Sequence, residues 1–150
     1  MTGDKQVASI RDIVTEAVDC LFERDGFLLE ANAGERTIVG RLVAYLEPHF
    51  PEHHVNVEYN RHGLHPKRLD LPAYGGEKLI VPDVVVHRQG HDEENLLVIQ
   101  VKKETNNESR DYDRAVIAGM KKDYGYRWGV LIDLPAGPEA TKRKALLEWV

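Results

Sequence analysis

Residues 96–103, Leu-Leu-Val-Ile-Gln-Val-Lys-Lys, form an apolar run of strand length that turns polar on one face at its end. Side chains of a strand alternate between faces, so Gln100 and Lys102 share one face while Leu97, Ile99 and Val101 share the other. A run this apolar belongs in a sheet covered by other layers, and the chain supplies them. Residues 79–87 are a second β-branched run, and Val55, Val57 and Tyr59 alternate with Asn56, Glu58 and Asn60 as in a half-buried strand. Residues 126–134 read as a fourth strand.

Helical spacing of Val7, Ile10, Val14, Ala17, Val18 and Leu21 predicts a helix over about 4–24, stopped by Asp25-Gly26. Ile38, Val39, Leu42, Val43 and Leu46 predict a second over about 33–46, ended by Pro48 and Pro51. A third is expected over about 109–124, between a Ser109 cap and Gly125. A last short helix is expected from Pro138 toward Trp149. Residues 60–78, with Gly63, Pro66, Pro72 and Gly75-Gly76, read as a loop, and 89–95 as a turn.

The order α, α, β, β, β, α, β, α predicts the α/β (α+β) class, a mixed sheet flanked by helices with at least one crossover. No linker interrupts it, so residues 1–150 are expected to form one domain. With 42% apolar and 30% charged residues the chain is not of the disordered kind. No apolar run approaches the roughly 20 residues of a membrane span. The first ten residues lack an apolar signal core, and the single cysteine, Cys20, allows no internal disulfide; a cytoplasmic location is expected. A net charge of −5 argues against a general electrostatic grip on nucleic acid, but leaves room for a local basic groove or for carboxylates that bind a cation.

The chemistry concentrates on two strands. Asp83 sits in Val81-Pro82-Asp83-Val84-Val85, where an acid is costly to bury unless paired or bound to a cation. If the second and third strands pair across the 89–95 turn, Asp83 approaches Gln100 and Lys102. A buried Asp83–Lys102 ion pair and a cation site are both open readings.

Pro82-Asp83 followed by Gln100-Val101-Lys102 resembles the signature of the PD-(D/E)XK nuclease superfamily, also called restriction-endonuclease-like. Glu35-Arg36, Glu58-Tyr59-Asn60-Arg61 and Tyr124-Gly125-Tyr126-Arg127-Trp128-Gly129 are similar to segments of small bacterial members, and the likeness covers about residues 30–135. The resemblance implies an αβββαβ core, here with an extra N-terminal helix and a short C-terminal helix. It implies a metal-dependent endonuclease acting on DNA, in a bacterial defence or restriction setting, with Mg²⁺ or Mn²⁺ as cofactor. Asp83 would be the principal metal ligand, joined by Glu35 of the first core helix and the backbone carbonyl of Val101. Lys102 would hold the attacking water. Gln100 stands where most members carry an acid. Its amide oxygen can coordinate but brings no charge, so Gln100→Glu is expected to tighten metal binding. The alternative is a catalytically weakened or inactive module that binds nucleic acid or a protein partner.

Glu35 continues the face of positions 39, 42 and 46 toward the sheet, although Asn32 and Glu35 also have capping-box spacing. Glu58 is either a further acid of the site or a solvent-facing strand residue. Arg61, Lys67 and Arg68 cluster with His62 and His65 in one loop, as phosphate contacts or as ordinary solvated charges. No helix-turn-helix or zinc-finger motif is present, so a protein partner is expected to supply target choice. Cutting both strands of a duplex calls for two active sites, which makes a homodimer reasonable.

Overall fold

The computed structural model describes residues 2–150, with side chains described from Ile10 onward; Val7 lies outside these. The elements, in chain order, are α1 (Thr2–Glu30), α2 (Glu35–Leu46), β1 (His54–Val57), β2 (Arg61–His62), β3 (His65–Pro66), β4 (Arg68–Leu71), β5 (Gly76–Leu79), β6 (Val84–His87), β7 (Leu97–Lys103), α3 (Arg110–Tyr124), β8 (Trp128–Leu134) and β9 (Leu146–Trp149). Three α-helices thus accompany a mixed five-stranded sheet of order β1-β6-β7-β8-β9. β6 runs antiparallel to both β1 and β7. β7 and β8 are parallel, joined by the α3 crossover, and β9 returns antiparallel to β8.

The alternation in β7 sorts the core into two layers. Leu97, Ile99 and Val101 pack with Val84, Val86 and the stripes of α1 and α2. Val98 and Val85 pack on the other face with Val116, Ile117 and Met120 of α3, and with Leu69 and Leu71 of β4. α3 is bounded as its sequence dictates: Ser109 caps it by accepting from the Asp111 amide, and Gly125 closes it at φ 71°. Among the described residues, no helix is long and apolar enough to cross a membrane.

Several expected boundaries move. α1 does not stop at Asp25-Gly26. Asp25 leaves helical geometry (φ −123°, ψ 25°), but the chain resumes its turns to Glu30 and buries Leu29. The kink is anchored from α2, where Arg41 Nε donates to Asp25 at 3.0 Å and the Tyr45 hydroxyl donates to the same carboxylate. A Cβ at Gly26 would stand 2.7 Å from the Thr141 methyl, so any larger residue there displaces that side chain.

Residues 60–78 are not an open loop but hold most of two hairpins, β2–β3 and β4–β5. The expected 79–87 strand is split: Leu79 ends β5, and β6 begins only after Pro82, which has no N–H to give a ladder. The final helix is corrected to a single 3₁₀ turn, Ala140–Lys142, followed by β9, whose alternately half-buried Leu147 and Trp149 pack on the α1 side.

Candidate functional site

Pro82 decides where the site begins. The β6–β7 ladder runs from Val86↔Leu97 to Val84↔Ile99 and stops. The next stretch of that edge of β7 is left to side chains. Asp83 Oδ2 accepts from the Val101 amide at 2.7 Å. Two residues on, Glu35 Oε2 accepts from the Lys103 amide at 3.1 Å. The N–H and C=O of one residue leave a strand on the same side, so the Val101 carbonyl lies on this edge between the two amides. Strand rise separates those amides by about 6.6 Å. Two carboxylates and a carbonyl therefore line one edge.

Glu35 reaches the sheet because it does not cap its helix. The N-cap is Gly34, with no side-chain cap bond. Asn32, at φ 54°, instead accepts from Lys103 Nζ at 2.9 Å. Asn106 Nδ2 fixes Glu35 further at 3.0 Å. Arg110 holds this turn in place: its guanidinium donates to both Asp133 oxygens and to the carbonyls of Lys103, Asn106 and Glu108.

Gln100 and Lys102 stand on the α3 face of β7. Gln100, 6% exposed, accepts from the Asp83 amide at 2.9 Å and donates through Nε2 to Asp113 Oδ1 at 3.0 Å. Lys102 Nζ lies 3.3 Å from the same Asp113 oxygen. Lys102 is thus paired with Asp113, and the Asp83–Lys102 ion pair is not the one that forms. The role of Gln100 is corrected as well: its amide braces the start of β6 against α3, and its oxygen is already engaged rather than presented to the strand edge.

Asp113 was missed by the sequence reading. It sits in the first turn of α3, is 1% exposed, and its Oδ2 is buried with no partner among the described residues. The signal was available, since Asp113 precedes Val116, Ile117 and Met120 at helical spacing and so extends the apolar stripe inward. The same argument had placed Glu35.

Burial pushes the Asp83 carboxyl up to about 6; the Val101 amide and the Lys102 charge pull it back, while Asp113 and Glu35 push it further up. Among the described residues, no three His, Cys, Asp or Glu side chains converge as a metal cage. Two carboxylates and a carbonyl are a poor set for Zn²⁺. They do fit Mg²⁺ or Mn²⁺, hard ions that keep several waters and are held through few carboxylates plus substrate phosphate.

The remaining sequence candidates lie elsewhere. Glu58 falls one residue past β1, at φ 52°. Its amide donates to the Asp83 carbonyl at 3.0 Å, but its carboxylate pairs with Arg36 on the surface at 3.1 Å. Arg61 is exposed on β2, and Arg68 lies 3.4 Å from Glu77. Lys67 is corrected: it is 3% exposed and so does not offer itself to phosphates. Its ammonium sits 5.2–5.6 Å from the ring centres of Tyr59, Tyr124 and Tyr126. No protein-family model matches the chain, and neither a curated protein nor a solved structure matches it significantly.

Proposed function

We propose that this chain is a metal-dependent endonuclease domain of the PD-(D/E)XK kind, hydrolysing phosphodiester bonds in DNA with Mg²⁺ or Mn²⁺. The observation that carries this reading is the alignment of Asp83, the Val101 carbonyl and Glu35 along one edge of β7, beside a lysine held on the adjoining face. The order α2, β1, β6, β7, α3, β8 supports a restriction-endonuclease-like core, with α1 before it and β9 after it.

When bound, the divalent ion supplies charge neutralisation at the phosphate and lowers the pKa of the attacking water. Asp83, Glu35 and the Val101 carbonyl would hold it. Lys102, steered by Asp113, hydrogen-bonds the attacking water and offsets charge on the phosphate. Asp113 and Gln100 are positioning residues, because they act through Lys102 and through the Asp83 backbone. The resemblance to bacterial members supports a defence or restriction role, with two copies or a partner protein completing cleavage of both strands.

Metal-supported cleavage of plasmid, linear duplex and single-stranded DNA tests the proposal. Asp83→Ala and Lys102→Ala should abolish it; equal activity in the wild type and both variants removes these residues from the mechanism. A second reading, favoured by the engaged oxygen of Gln100 at the acid position, is a nuclease-fold module that binds nucleic acid or protein without cutting. Absence of binding heat with millimolar Mg²⁺ or Mn²⁺ in the folded protein selects that reading.

A further inference from the structure

The β2–β3 hairpin turns through Gly63-Leu64. Gly63 takes φ 61° at the first central position, a conformation that two-residue turns reserve for glycine. Leu64 follows at the tip and is 93% exposed. A lone exposed leucine is ordinary; its setting here is not. Residues 60–69 carry Arg61, His62, His65, Lys67 and Arg68 and no acid of their own, in a chain of net charge −5; Lys67 is buried, and Glu77 and Asp92 meet Arg68 and His62, so Arg61 is the exposed arginine of the hairpin. Arg61 makes no ion pair among the described residues.

The ribbon is also braced at its base. The Lys67 amide donates to the Asn60 carbonyl at 2.6 Å. The Tyr124 hydroxyl donates to the Arg68 carbonyl at 2.6 Å and accepts from its amide at 2.9 Å. His62 bonds Asp92 at 2.6 Å and packs edge-on against Tyr124, while the Lys67 side chain is pinned among three rings. A tip held this firmly loses little freedom on binding.

Resting on the nuclease reading above, we infer that this hairpin contacts duplex DNA, with Leu64 as an apolar wedge at a base step and Arg61 on a flanking phosphate. Apolar wedges of this kind enter from the minor groove, unstack a step and kink the duplex. Arg61 supplies the salt-dependent share of affinity from this hairpin.

The test uses the full chain and short duplexes carrying a fluorescent adenine analogue at successive positions, in EDTA so that nothing is cut. Binding of the wild type should raise fluorescence at one step. Leu64→Ser, a change at an exposed tip, should abolish the rise and weaken binding about tenfold. Arg61→Ala should keep the rise, weaken binding a few-fold and lower the salt slope by about one. Failure of the wild type to bind duplex, or a Leu64→Ser protein that binds and unstacks as the wild type does, overturns the inference. Mn²⁺-supported cleavage separates the two claims. Cleavage with no fluorescence rise overturns the wedge and leaves the nuclease reading standing. Binding with unstacking but no cleavage supports the wedge and overturns the nuclease reading.

Discussion

Gln100→Glu sets a second carboxylate against Asp113. Gln100 Nε2 donates to Asp113 Oδ1 at 3.0 Å, so the substitution turns a donor into an anion at the same place. Two unit charges at that distance repel by about 5.5 kcal/mol at an effective dielectric of about 20. Taking up a proton is cheaper. For a glutamate of ordinary pKa near 4.3, protonation at pH 7 costs about 3.7 kcal/mol. That figure is a ceiling, because Lys102, 3.3 Å from the same Asp113 oxygen, attracts both carboxylates. The expected penalty at pH 7 is about 2–4 kcal/mol.

The pH dependence follows from the proton. The folded variant binds one that its unfolded chain releases above about pH 4.3, so its stability falls as pH rises, by at most about 1.4 kcal/mol per unit. At pH 5 the penalty shrinks to about 1 kcal/mol or less. Urea unfolding of both proteins at pH 5 and pH 7 measures this. Adding Asp113→Asn restores a donor opposite the new acceptor and should recover most of the loss. A variant as stable as the wild type at pH 7, or equally weakened at both pH values, refutes the geometry. Tighter metal binding, the expectation from residue type alone, does not follow from this placement; calorimetry with Mg²⁺ should show the same affinity or a lower one.

Two further predictions concern titration. Asp83, raised to about 6 by burial, must lose its proton to take a cation; apparent Mn²⁺ affinity in calorimetry should fall about tenfold per unit below pH 6 and vanish in Asp83→Asn, and affinity flat down to pH 5 removes Asp83 as a ligand. Burial pulls Lys67 from 10.5 down to about 8, so from about pH 8 to 10 the folded chain sheds a proton that the unfolded chain keeps, and stability rises there; Lys67→Met should lack this rise, shifting the stability difference between the two proteins by about 2 kcal/mol from pH 7 to pH 9.5, and a pH-independent difference refutes it.

What was legible in the sequence was what a long periodic segment can state. The alternation in 97–103 put Gln100 and Lys102 on one face, and the α2 stripe sent Glu35 toward the sheet; both placements hold. The short strands were not legible. Two to four residues, as in β2 through β5, are too few to tell a period of 2 from one of 3.6. β9, four residues long, is illegible for the same reason, and its pairing with β8, a strand the sequence does predict, is set only by the tertiary fold. The α1 stop failed because Arg41 and Tyr45, on another helix, stabilise the kink at Asp25. Lys67 has the chemistry of a surface residue, and only three tyrosines distant in sequence, Tyr59, Tyr124 and Tyr126, account for its burial.

The placement of Asp113 changes what Gln100 means for the site. Alternation puts the side chain of position 100 on the face of β7, whereas the oxygens suited to a cation lie on its edge. A neutral residue at 100 therefore removes no oxygen from that edge. What it removes is a negative charge on the face, and α3 returns that charge through Asp113, which also holds Lys102. Arg110 is matched by Asp133, and the Lys103 ammonium is turned away onto Asn32 and Ala33. The group thus consists of three carboxylates, Asp83, Glu35 and Asp113, and one ammonium, Lys102, which leaves a double negative charge when all are ionised. On the proposed reading, one divalent cation would balance it. The proton that the buried Asp83 carboxyl takes up near pH 6 relieves part of the same imbalance.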